Sequence, residues 1–112
     1  MSTSFVPDKV QFYAGNVTSI TVRLYDRGTS SYFNASAVVS AELLNAQGVL
    51  VPGSNASMSF VVGSIGDFTI NIGGADFQPT PGSGYKLHII ATQGDARGEW
   101  HIPGEVPQER TR

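Results

Sequence analysis

The chain has no cysteine, no long apolar run, few charges and no stretch with helical periodicity. Without cysteine, disulfides, thiolate nucleophiles and cysteine-based zinc sites are all excluded, so the fold must hold by packing. No segment approaches the roughly 18 to 20 uninterrupted apolar residues of a membrane-crossing helix, and no membrane partner is expected. The opening residues MSTSFVPDKV combine neither a basic start nor an apolar stretch, so no export signal is read in them.

Charged residues make up 14% of the sequence, against about 25% in an average soluble domain. The net charge of −2 offers nucleic acid no basic surface, and none is expected as a partner. The charges are also unevenly spread. Across residues 28–84 the only charged side chains are Glu42, Asp67 and Asp76, with no lysine or arginine. Interface cores are depleted in charge, so this half of the chain is a candidate for burial against other subunits.

What is present is β pattern. At 112 residues the chain fits one domain. Short strands are predicted over residues 9–13, 17–25, 36–45, 49–51, 57–62 and 67–72, each bounded by Gly, Pro, Asn or Asp. Alternation turns inward Phe12, Ile20, Val22, Leu24, Val39, Leu43, Met58, Phe60, Val62, Phe68, Ile70 and Ile72. Residues 73–77 could form one helical turn, with Phe77 as a plug. The strongest signal is YKLHIIATQGDARGEWHIP, residues 85–103. With Gly94 and Asp95 as a two-residue turn, Leu87 faces Ile102, Ile89 faces Trp100 and Ala91 faces Gly98 on an apolar side, while His88 faces His101 and Ile90 faces Glu99 on the other. Such a ribbon must lie on another layer. The prediction is an all-β, immunoglobulin-like antiparallel β-sandwich of seven to eight strands over residues 9–103, with an N-terminal arm at 1–8 and a C-terminal tail at 104–112. Phe5 and Val6 are the arm's candidate anchor on a neighbouring subunit.

Chemistry is thin. His88 and His101 are the only histidines, and their opposed placement could bind a transition metal or respond to protonation. Two ligands do not complete a zinc site, and the nearest outward charges are Glu99 and Lys86, so neither metal nor cofactor is expected. No Ser or Thr nucleophile motif accompanies the histidines, and the scattered carboxylates do not predict one cleft, so an enzyme is not expected. Gly73-Gly74 lacks the spacing, lysine and helix of a phosphate loop. Three Asn-X-Ser/Thr triplets, at Asn16, Asn34 and Asn55, fit chance in a chain rich in these residues. Tyr25, Tyr32 and Phe33, expected on exposed loops, form a candidate aromatic platform.

The order VQFYAGNVTSITVRLYD, ASAVVSAELLNAQGVLV, GDFTINIG and PGSGYKLHIIATQGDARGEWHIP resembles small immunoglobulin-like structural proteins of tailed bacteriophages, such as capsid decoration or cement proteins and tail or baseplate components. The resemblance implies a virion protein without catalytic residues that reinforces the head through symmetric contacts. Its implied partners are the major capsid protein or other virion proteins and copies of itself, with a trimer favoured. Phe5, Val6, Tyr25, Tyr32, Phe33, His88 and His101 are the expected contact residues. Bacterial adhesion domains and sugar-binding modules share this architecture, so a carbohydrate-binding or adhesion module of a phage tail or cell surface, using Tyr32 and Phe33, is the second functional class.

Overall fold

The computed structural model describes residues 4–13, 15–74 and 77–107. Ten strands run in order: β1 Val10–Gln11, β2 Val17–Arg23, β3 Tyr25–Asp26, β4 Ser31–Tyr32, β5 Val38–Leu44, β6 Ala56–Ser57, β7 Ser59–Phe60, β8 Asp67–Gly73, β9 Gly82–Gln93 and β10 Ala96–Val106. One sheet has the order β1-β10-β9-β5-β6 and the second β2-β8-β7, while β3 and β4 form a small ribbon. No helix occurs among the described residues. All pairings are antiparallel except β1 with β10, which is parallel. This is the immunoglobulin-like sandwich expected from the strand pattern, with ten strands where seven to eight were expected, because the β3–β4 ribbon forms in the predicted loop and the 57–62 strand is split in two.

Alternation decides what is buried. Ile20 and Val22 of β2 and Phe68, Ile70 and Ile72 of β8 face Val39, Ala41 and Leu43 of β5, Leu87, Ile89 and Ala91 of β9, and Ile102 of β10. Phe12 and the buried Phe77 meet edge to face at 6.0 Å, so Phe77 is a plug. Of the predicted helical turn that precedes it, Ala75 and Asp76 lie outside the described residues. The β9–β10 register matches the predicted hairpin at every pair, including Leu87 with Ile102 and His88 with His101. Trp100 is only partly buried. Its indole lies over Gly98, whose missing side chain leaves a slot that any Cβ would close, and the ring reaches Phe33 edge to face at 6.1 Å.

A tyrosine corner opens β9. The buried Tyr85 sends its hydroxyl back to donate to the Thr80 carbonyl at 2.6 Å, a feature of immunoglobulin-like folds at this strand. Tyr85→Phe removes that bond and leaves the carbonyl unpaired, so stability is expected to fall by about 0.5 to 1.5 kcal/mol in denaturant unfolding.

Four expectations are corrected. The strand predicted over residues 49–51 is reduced to an isolated bridge between Leu50 and Leu44, because Pro52-Gly53 ends it at once. The strand predicted over residues 57–62 is broken at Met58: β6 pairs with β5 in one sheet and β7 with β8 in the other, so the chain changes sheets there. The turn into β8 then starts early, with Val61 N donating to Asp67 O at 2.8 Å, and Val62 stands 93% exposed instead of inward. At the C-terminal side β10 continues past Pro103 into the predicted tail. A register shift between Gly104 and Val106 absorbs one residue, and Val106 is buried. Residues 108–112 of that tail and 1–3 of the arm lie outside the described residues.

Candidate functional site

The outer face of the larger sheet carries one concentration of ionisable side chains, and the strand register assembles it. His88 at the middle of β9 pairs with Glu42 of β5 on one side and His101 of β10 on the other, so the three stand in a row across the strands. Glu99, two residues before His101 on β10, shares their face. The neighbours Leu87, Ile89 and Ile102 are buried beneath, which fixes the row on the outside.

The side chains interlock. The His88 and His101 rings stack with centroids 4.5 Å apart and planes 2° from parallel. His88 Nε2 meets Glu99 Oε2 in a short hydrogen bond, and His88 Nδ1 lies 3.5 Å from Glu42 Oε1. Arg97 Nη1 donates to the other oxygen of Glu99, Oε1, at 3.3 Å. The hydrogen bond from His88, then that from Arg97, hold the Glu99 carboxyl below the usual carboxylate range despite opposing desolvation. Beside the row, a shallow hollow between β5, β6 and β9 is lined by Ser40, Glu42, Asn55, Ser57, His88 and Ile90.

The smaller sheet presents a different outer face, almost without charge. Ser19 bonds Asn71 at 2.5 Å and Thr21 bonds Thr69 at 3.2 Å across β2 and β8. The one ion pair of this ladder, Arg23 with Asp67 at 2.7 Å, closes on itself. Exposed apolar side chains flank it: Val17 at one end, and Phe5, Val62 and Ile65 toward the other.

The predicted contact residues divide. His88 and His101 come together as read from the sequence. Phe5 forms a backbone bridge to Arg23 of its own chain, with N–H to O distances of 2.7 and 2.9 Å, while its ring stays exposed and Val6 packs on the core. Tyr25 and Tyr32 are half-buried, paired in register, and packed edge to face at 4.9 Å. Phe33 is buried and cannot belong to an exposed platform. Adjacent residues in extended chain point to opposite sides, so Tyr32 and Phe33 cannot share one surface. Sequence reasoning gave no role to Glu42, because the pattern does not reveal that β5 flanks β9.

No protein-family model and no curated protein sequence matches the chain. Among solved structures it is similar to the S-layer protein SbsC domains 4 and 5, at 18% identity and a TM-score of 0.45, over 96% of this chain and 46% of that one. The chain thus spans less than half of that S-layer structure.

Proposed function

We propose that this chain is a structural module of an assembled particle, a virion protein of the capsid decoration type, docking through the outer face of β2, β8 and β7. The nearly uncharged ladder on that face carries the reading. Ser19 donates to Asn71, Thr21 to Thr69, and the one ion pair, Arg23 with Asp67, is closed on itself, so docking need not desolvate an unpaired charge. Val17, Phe5, Val62 and Ile65 supply apolar contact around it. Copies of the chain and the major capsid protein are the partners, and many identical weak contacts acting together would give the assembly its strength.

Light scattering on the purified chain tests self-association. The expected species is a closed oligomer, with a trimer at three times the 11.9 kDa chain mass. Thr21→Arg, which places an unpaired charge in the middle of the ladder, is expected to reduce the mass to that of a monomer without lowering the melting temperature. An oligomer that survives this change would move the contact off this face, and a monomer at every concentration would overturn self-assembly.

A further inference from the structure

We propose that His88, His101 and Glu99 form a binding site for a divalent transition-metal ion of the zinc, nickel or copper class. One ligand atom from each of the three lies within 4.8 Å of the others. The third donor is what the histidine pair needs, since three protein ligands and a water complete a four-coordinate site with one exchangeable position. In such a site neighbouring ligand atoms stand about 3.3 Å apart, given metal–ligand bonds of about 2.0 to 2.2 Å. Reaching that arrangement takes side-chain rotation with the strands fixed: the exposed His101 ring leaves its stack on His88, and Glu99 Oε2 draws back from His88 Nε2.

The surroundings suit a cation at this point. His88 Nε2 and Glu99 Oε2 are hydrogen-bonded to each other, so two potential ligand atoms already converge on one point. His88 Nδ1 lies 3.5 Å from Glu42 Oε1, so a carboxylate stands within a small rotation of the second ring nitrogen, where a metal-bound imidazole usually has a hydrogen-bond partner. Arg97 engages Glu99 Oε1 and leaves Oε2 for the ion. With both histidines neutral, Glu42 and Glu99 balance Arg97 and Lys86, which stands two residues from His88 on the same face, so no net positive charge opposes a cation here. Two imidazoles with one carboxylate favour zinc, nickel or copper over magnesium or calcium, which seek oxygen alone. The inference is independent of docking through the opposite sheet.

Isothermal titration of the untagged full chain with Zn2+ alone, repeated with Ni2+ and Mg2+, is the experiment. Expected is one Zn2+ per chain with a Kd of about 1 to 100 μM, released protons seen as a buffer-dependent heat, and no response to Mg2+. His101→Asn and Glu99→Gln are each expected to weaken Zn2+ at least tenfold, and Glu42→Gln by about 10- to 100-fold. Melting curves in chelator establish that the variants are folded; should Glu99→Gln fail, His101→Asn carries the comparison. Wild-type chain that ignores about 1 mM Zn2+, or His101→Asn that binds as tightly as wild type, would overturn the site.

Discussion

Replacing Phe68 with alanine is expected to remove about 3 to 5 kcal/mol of stability. Phe68 sits on β8, the central strand of the smaller sheet, with 1% of its surface exposed. Its ring packs edge to face on Phe60 at 5.5 Å, and its backbone pairs with Val22 and Phe60 on either side. An alanine there loses the transfer energy of the ring and leaves a void that two hydrogen-bonded neighbours hold open. Small domains are stable by only about 5 to 15 kcal/mol, so the variant should melt some 12 to 20 °C lower, at about 4 °C per kcal/mol for a domain of this size. Val62→Ala is the matched comparison. That side chain is 93% exposed, and its loss should stay within about 0.5 kcal/mol. Equal losses in circular-dichroism melts would mean that β7 does not end where the sheet places it.

Gly73→Ala should be comparably damaging for a different reason. Gly73 has φ 130° and closes the β2–β8 ladder opposite Val17. A Cβ there would overlap the Asn16 carbonyl oxygen and come within 3.0 Å of Val17 Cα, both rigid backbone. The same Asn16 carbonyl accepts from Gly74 N at 3.2 Å, so parting the strands to make room sacrifices that bond. The conformation alone costs a side chain about 1 to 3 kcal/mol, and overpacking adds about 1 to 3 kcal/mol. Gly53→Ala separates the two contributions. Its φ is 81° but nothing lies within 4 Å of a Cβ, so only the strain of about 1 to 2 kcal/mol applies. Denaturant unfolding that ranks the two variants equally would show that the Asn16 contact yields freely.

These positions also mark how far the sequence could be read. The β9–β10 register is legible over residues 85–103, because a two-residue Gly94-Asp95 turn sets the pairing and one apolar face fixes its parity. The His88–His101 half of the site followed from it. Glu99 was visible as an outward neighbour, but its reach to His88 is a diagonal contact set by rotamer and not by spacing. Glu42 depended on which strand lies beside β9, a matter of topology. Short elements were read least well. Alternation points Val62 inward because nothing in SMSFVV announces a change of sheet at Met58, and the adjacent aromatics Tyr32-Phe33 look like one surface although extended chain divides them. Val106 escaped notice because Pro103-Gly104 looks like a strand end, whereas the shift beside Gly104 carries the strand on.

The Phe5 bridge bears on which sheet edges another copy could pair with. A β-protein with so little charge cannot rely on repulsion to keep backbones of different copies from zipping together. Three of its four outer strands, β1, β6 and β7, are two residues long and give an incoming strand little to template on. The fourth, β2, runs for seven residues, and the segment around Phe5 occupies its Arg23 end. Ser4 reinforces the seal, its Oγ accepting from Tyr25 N at 2.8 Å. The segment around Phe5 therefore acts as a stopper: it shortens the stretch of β2 edge that an incoming strand could pair with.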